Sequence, residues 1–549
     1  MKAFTEPLLS LAGFEEMTKT AEKSSGLISV TGCIDAQKSQ MIYAFGGHRK
    51  NKLIVTFGEQ KAKELYDEYS FFDKEVVYYP SKDVLFYQSD IRGNLLTAER
   101  IRALKAIREQ ERVTLVTTFD ALMNTMAPIE KMWENVLTLE QGQLLDLKEI
   151  QAALIRMGYE KEYQVQTMGQ FSVRGGILDV FPLTEENPIR IELWGDEIDT
   201  IRYFDCESQK SIENIDRVSI YPAAELVLSD EEKAGGIEKL KAEAKRVSDK
   251  LRKQMKTEEA HRVTVMADEL TEEWGELSMY AGMDAFLSYF FDERVGLLDY
   301  FKPSDSLIFF DELTRCAEQG KLTETEFSES MKQRLAMGYI LPGQMNGLFT
   351  EKEIVAKLGK YSCIALAALD NKANGLHQLG SYGIHCQSVS PYNNSFELLI
   401  KDLKRYKKNG YRVILLSGSR TRAKRLSEDI TDQGITCFYT ENYDHELSEG
   451  QIMVCYGKVR RGFEYPILKF AVITESDIFG AQQKKKKRHR TYEGEKIQSF
   501  TDLSVGDYVV HENHGLGIYR GIEKLEVDKK VKDYIKIEYQ GGSNLYILA

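Results

Sequence analysis

The sequence predicts a multidomain α/β protein that ends in a small β-barrel. Three observations predict it. Short apolar strands alternate with helical segments over residues 1–135 and again near 375–475, the pattern of parallel sheets covered by helices. Between these stretches, residues 136–222 are rich in strands with Gly and Pro turns. Residues 499–549 are short strands broken by Gly, which suits a small closed sheet.

Taken in order, GLISV, KLIVTF, EVVYYP and VTLVTT read as strands of the first unit, 1–135, with KAKELYDEYSFF and TAERIRALKAIREQ as its helices. QVQTMGQFSVRGGILDVFPL and PIRIELWGDEIDTIRYFD supply the strands of a second unit, 136–222. A third, 223–370, opens with a charged segment, 231–254. Both signs recur there at helical spacing, so it is expected to be a solvent-exposed helix with i, i+4 ion pairs. LIFFDE, 307–312, is one more buried strand. A fourth unit, 371–478, is carried by YRVILLSGS, RTRAKRLSEDI, QIMVCYG and FAVITE. Residues 479–498 form a basic linker, and 499–549 the barrel.

Composition narrows the function classes. The 549 residues carry a net charge of -12, so the chain as a whole is no general binder of nucleic acid. Its seven cysteines are scattered without a C-x-x-C pair, which argues against a zinc site or a disulfide framework and for a reducing cytoplasm. The N-terminus lacks the basic start and apolar core of a signal peptide, and there is no apolar run of about 18 residues to span a membrane.

One stretch raises a chemical question. TGCIDAQKSQ follows a strand and matches G-x-x-x-x-G-K-[ST] at Gly32, Lys38 and Ser39, with Gln37 in place of the second glycine. That glycine lets the backbone curl closely around a phosphate, and a glutamine side chain fills the space. Lys38 and Ser39 retain the phosphate- and magnesium-binding groups, and Asp311 with Glu312 close a strand as a Walker-B pair does. The residues favour a chance or relic match over a working ATP site. No Q-x-x-G-R-x-x-R segment supplies the arginine that phosphoryl transfer needs, and GKVRRGFEYP only faintly matches a helicase strand-turn.

RGGILDVFPL, PIRIELWGDEID and IRYFDCESQKS resemble the module shared by the excision-repair protein UvrB and the bacterial transcription-repair coupling factors (Mfd). LLDYFKPSDSLIFFDE resembles another part of it. UvrB has an intact phosphate loop, Ser-His after its acidic pair and a long aromatic hairpin. Here Gln37 interrupts the loop, Leu313 and Thr314 follow the pair, and SKDVLFYQSDIRGN is too short for the hairpin. LSVGDYVVHENHGLGIYRGIEKL resembles the RNA-polymerase-interacting domain of the coupling factors, shared with CarD-type regulators and absent from UvrB. The resemblance implies a degenerate RecA-like first unit completed by 223–370, an inserted UvrA-binding domain, a small α/β domain, and a Tudor-like barrel. The family's motor motifs are not found, so the chain resembles the N-terminal half of a coupling factor, with ATP used only in the other half and no cofactor or metal here.

The resemblance places UvrA contacts on Arg174, Arg190 and Trp194. The plain alternative makes Trp194 core and the arginines solvated; WGDEID places Trp194 before a turn, which fits either. The β subunit of RNA polymerase is expected on the barrel, by strand addition along an edge with candidates Val510, Tyr519, Ile522 and Leu525, of which half must face the barrel core. His511 and His514 flank a turn and lack further metal ligands. Lys484–Arg490 is a solvated linker in the plain reading and a DNA-backbone contact in the other. The expectation is a monomeric scaffold joining a stalled polymerase to UvrA. The rivals are a UvrB-like DNA-dependent ATPase and a CarD-type regulator with inert front domains.

Overall fold

The computed structural model describes residues 1–45, 49–82, 94–276, 283–369, 375–480, 505–511, 515–527, 530–538 and 544–548. Lys484–Arg490, His514 and most of the stretch 81–94 lie outside them.

The first unit is built on a seven-stranded sheet in the order Gln378–Gly383, Gly26–Thr31, Ser362–Leu366, Ser306–Asp311, Asn51–Thr56, Val113–Thr118 and Val77–Tyr79. Every pairing in it is parallel. Alternate residues of a strand point to opposite faces. Ile28, Ile54, Phe309 and Ile364 therefore enter one core, and Leu27, Leu53, Phe310 and Cys363 the other. Burial on both sides explains why these strands read as unbroken apolar runs. Residues 223–370 contribute the strands Ser306–Asp311 and Ser362–Leu366 to this sheet, and Gln378–Gly383, which lies within the expected fourth unit 371–478, pairs with Gly26–Thr31.

The helix expected at 231–254 spans Asp230–Lys253 and is capped by Ser229, whose side chain accepts from the Glu232 amide. It is not wholly solvated. Leu240, Ala244 and Leu251 share an apolar cluster with Ala260, Val263 and Ala267 of helix Thr257–Glu276, so the two form a packed hairpin. Gly236 lies against Phe290, where a Cβ would stand 2.2 Å from the ring.

Residues 137–220 form a six-stranded sheet, Ser211–Ile215, Glu197–Phe204, Ile189–Trp194, Ile177–Val180, Gln170–Arg174 and Glu160–Lys161, beside a ribbon of Leu137–Glu140 with Arg217–Ile220. A buried ion pair ties the segment that follows this sheet to the first unit. Arg100, fully buried, holds Glu225 through Nε at 2.7 Å and Nη2 at 2.9 Å, and Lys82 reaches the same carboxylate at 2.9 Å. Burial alone would raise the Glu225 carboxyl, but Arg100 and Lys82 outweigh it and hold the pKa down at about 2.

The second α/β unit carries the sheet Gln387–Ser388, Phe463–Tyr465, Phe470–Thr474, Arg412–Ser417, Ile452–Tyr456 and Phe438–Tyr439. Val413, Leu415 and Ile473 pack under helices Phe396–Lys408 and Arg420–Asp432. Leu416, Cys455 and Phe470, on the other face, join the core of the first unit. The C-terminal segment is an antiparallel meander of Tyr508–His511, Gly515–Val527, Lys530–Glu538 and Asn544–Leu548. Among the described residues no pairing joins its first strand to its last.

Candidate functional site

The phosphate-loop stretch folds as strand, turn and helix. Gly26–Thr31 runs into Gly32, at φ 79°, and helix Asp35–Phe45 follows. Several of the groups that would meet a nucleotide are engaged within the chain, while the buried Ser39 hydroxyl has no hydrogen-bond partner among the described residues. The amides of Gly32 and Cys33 donate to the carbonyls of Ala368 and Ala367 at 3.3 and 2.9 Å. A Cβ on Gly32 would stand 2.0 Å from the Ile384 carbonyl oxygen, so a neighbouring segment lies over the turn. Gln37 is fully buried, and its Oε1 accepts from the Tyr465 hydroxyl at 3.0 Å. Ser39 is 1% exposed and Lys38 likewise.

Lys38 sits among carboxylates. Its Nζ lies 2.5 Å from Asp311, 2.9 Å from Glu312 and 3.2 Å from Asp35. Lys61 bridges Asp35 at 2.9 Å and Asp311 at 4.0 Å, and Thr56 donates to Asp311 at 3.3 Å. Burial by itself lowers an ammonium pKa, yet Asp311 and Glu312 outweigh it and Lys38 stays charged. The structure thus brings Lys38, Asp311 and Glu312 together in an ion-pair cluster, with Gly32 at the turn before the helix. Arg460 of the GKVRRGFEYP segment is paired with Glu64 at 2.6 Å.

The second site lies on the sheet of residues 160–215. Asp179 pairs with Arg190 across the strands and Arg190 with Arg202. Glu192 and Trp194 follow on the same outer face, while Leu178, Ile189 and Ile191 fill the core side. Trp194 ends its strand before Gly195, at φ 66°, and is 84% exposed. That removes the core reading of Trp194. The arginines are not loosely solvated either. Arg190 clasps Asp179 through Nε at 2.7 Å and Nη2 at 2.8 Å, donates to Gln209 at 2.8 Å and stacks on Phe204 at 4.3 Å. Arg174 reaches the same carboxylate at 2.8 Å. Sequence reasoning missed Asp179; its cross-strand register with Arg190, legible only from the pairing, was the signal. A cleft of about 730 Å³ adjoins Trp194, walled by Glu140, Glu197, Asp199, Asp216 and Arg217.

The third site is the C-terminal meander. Tyr508–His511 is one of its two edge strands, paired only on the side of Gly515–Val527 among the described residues. Tyr519 is 4% exposed and faces inward with Val509 and Ile537, so it belongs to the core rather than to a docking edge. Val510 lies in the edge strand, Ile522 and Leu525 in the long second strand, and their side chains lie outside the described ones. The exposed apolar residues here, among the described side chains, are Val505, Tyr508 and Leu516, 68%, 74% and 59% exposed, which the sequence reading passed over. No group of acidic, His and Cys side chains among the described residues is placed to hold a metal ion, and none of their helices is long and apolar enough to cross a membrane.

These features define a multidomain α/β protein with a strand-rich central unit and a C-terminal antiparallel meander. Residues 137–226 match the UvrB interaction domain, and residues 503–548 match the CarD-like/TRCF RID domain. Over nine-tenths of its length the chain is similar to proteins named transcription-repair-coupling factor. It is 30% identical over 497 residues to that of Bacillus subtilis (strain 168), covering 90% of this chain and 42% of that protein. It is 29% identical to that of Staphylococcus haemolyticus (strain JCSC1435), over 95% of this chain and 44% of the relative. The corresponding values for Staphylococcus aureus (strain MRSA252) are 28%, 97% and 45%. The chain therefore spans less than half the length of these curated relatives.

Proposed function

We propose that this chain couples transcription to nucleotide-excision repair as a scaffold, binding UvrA at one end and the β subunit of RNA polymerase at the other. One observation carries the reading: a UvrB interaction domain with an exposed Trp194 and a CarD-like/TRCF RID domain with an open strand edge occur in one chain. UvrA docks on the outer sheet face around Arg174 and Trp194, because a half-exposed guanidinium beside an exposed indole is a common hot-spot pair. Polymerase adds a strand along Tyr508–His511 of a Tudor-like barrel, with Tyr508 and Leu516 supplying side-chain contact.

The first unit, in this reading, is a RecA-like domain whose nucleotide loop serves packing. Lys38 neutralises Asp311 and Glu312 instead of a phosphate, so this unit works without cofactor or hydrolysis of its own; the proposed scaffold acts as a monomer in the cytoplasm. The rival, a UvrB-like ATPase, would need Lys38 released from a buried cluster. The test is sequential capture. UvrA is immobilised, the chain is bound, and RNA polymerase is added. Retention of polymerase only when the chain is present is expected. Polymerase and UvrA excluding one another on the chain would sink the scaffold reading.

A further inference from the structure

The two arginines of the UvrA-docking face differ in how they are held. Asp179 is 1% exposed and its carboxylate accepts three N–H groups, two from Arg190 and one from Arg174. Arg190 is closed off, with its side chain 12% exposed, three donated hydrogen bonds and Phe204 beneath the guanidinium. Arg174 gives Asp179 one hydrogen bond, and its side chain stays 37% exposed. Two guanidiniums share one carboxylate, which leaves one positive charge uncompensated. That charge belongs to the more exposed partner, since Arg190 satisfies the carboxylate in the bidentate geometry that arginine and carboxylate favour.

We infer that Asp179 is a positioning residue of this face: it anchors Arg190 as a buttress and fixes Arg174 with its free N–H groups turned toward a carboxylate of the partner. A long side chain held in one rotamer before docking loses less entropy on docking than a free one, so the anchor contributes to affinity without touching the partner. The neighbouring pair Arg202 with Glu192 is neutral as a unit and offers no comparable surplus. The inference rests on the reading that UvrA docks here.

The experiment is a double-mutant cycle on the full chain, with purified UvrA as the probe and melting temperature followed in parallel. Arg174→Ala and Asp179→Asn are each expected to weaken binding about tenfold or more. The double variant is expected to lose no more than Arg174→Ala alone, because both act through one contact. Losses that multiply, or native affinity in Asp179→Asn, overturn the inference. Where Asp179→Asn fails to fold, Asp179→Glu decides, since it keeps the charge while displacing it by one methylene. Weakened binding at an unchanged melting temperature supports the positioning role, and native affinity removes it. Trp194→Ala separates the two levels. If Trp194→Ala and Arg174→Ala both leave affinity untouched, the docking reading falls and takes the inference with it. Loss at Trp194 without loss at Asp179 removes the inference alone.

Discussion

The hydroxyl of Tyr465, on the second α/β unit, donates to Oε1 of Gln37 at 3.0 Å, at the position where a phosphate loop has its second glycine. Gln40 Oε1 lies 3.3 Å from the same hydroxyl, and the tyrosine ring and both glutamine side chains are buried. The residue that interrupts the nucleotide motif is therefore a fastener between two domains.

This relationship sets the outcome of restoring the motif. Gln37→Gly removes a buried hydrogen bond and places glycine within helix Asp35–Phe45, and each change costs about 1 kcal/mol. The expected result is a chain less stable by about 2 kcal/mol in denaturant unfolding, and no calorimetric heat with magnesium ATP. Micromolar nucleotide binding, by this variant or by the unaltered chain, would show that Lys38 leaves its carboxylates and would reopen the ATPase reading.

The Lys38 cluster predicts a sharper penalty. Lys38→Met leaves Asp311 at 1% exposure with Thr56 and a Lys61 that is 4.0 Å away. Breaking a buried pair from one side costs about 3–5 kcal/mol, whereas replacing both partners with apolar groups is often near neutral. Lys38→Met is thus expected to lower the melting temperature strongly, and Lys38→Met with Asp311→Leu to recover a large part of the loss. Equal destabilisation in single and double variants would mean that the cluster has a further buried dependant.

How much of this was legible in the sequence follows from the range of each interaction. The strands around Ile28, Ile54 and Phe309 were readable because burial on both faces leaves a continuous apolar run. Gln378–Gly383 was not, since QLGSYG has two glycines and a polar face, and its membership of the first sheet depends on pairing with residues about 350 positions earlier. The turn after Trp194 was legible from WGDE, and its exposure followed from the pairing register. Lys38 and Asp311 are 273 residues apart, so the motif spelled a nucleotide site while the tertiary structure made an ion pair. Helix Asp230–Lys253 misled because its charges outnumber its small buried stripe of Leu240, Ala244 and Leu251.

The junction between the α/β units also carries a pH dependence. Glu68 is 8% exposed, and burial raises its carboxyl from 4.5 to about 7, only partly offset by the Arg460 amide at 3.3 Å. A carboxyl raised on folding binds a proton more tightly in the native state, so its contribution is fully present below pH 4.5 and is lost as pH rises to about 7. The difference of 2.5 between those values corresponds to about 3 kcal/mol. Glu68→Gln is expected to stabilise the chain near pH 8 and to change little near pH 4. Parallel stability curves for the two chains across that range would refute the assignment.

Trp194 offers a cleaner separation of fold from binding. Its indole is 84% exposed, so Trp194→Ala should change stability by less than about 0.5 kcal/mol. The same change should weaken UvrA binding by about 2 kcal/mol or more, as truncation of a central aromatic anchor does. A loss of stability matched to the loss of binding would instead make Trp194 a structural residue.

The C-terminal meander calls for the opposite pair of outcomes in two aromatic and aliphatic neighbours. Tyr519 and Ile537 are cross-strand partners, 4% and 5% exposed, and Tyr519→Ala removes a large ring from a small core at a typical cost of about 3–5 kcal/mol. A domain of this size has little stability to spare, so that variant is expected to lose polymerase binding through unfolding, visible as lost amide protection in the strand Gly515–Val527. Leu516, 59% exposed on the strand that pairs with the edge, has no such role in the core. Leu516→Glu is expected to leave hydrogen exchange of the meander unchanged and to weaken binding to RNA polymerase, because a carboxylate there must be desolvated on docking. Native polymerase affinity in Leu516→Glu, with the meander intact, would move the docking surface away from this edge.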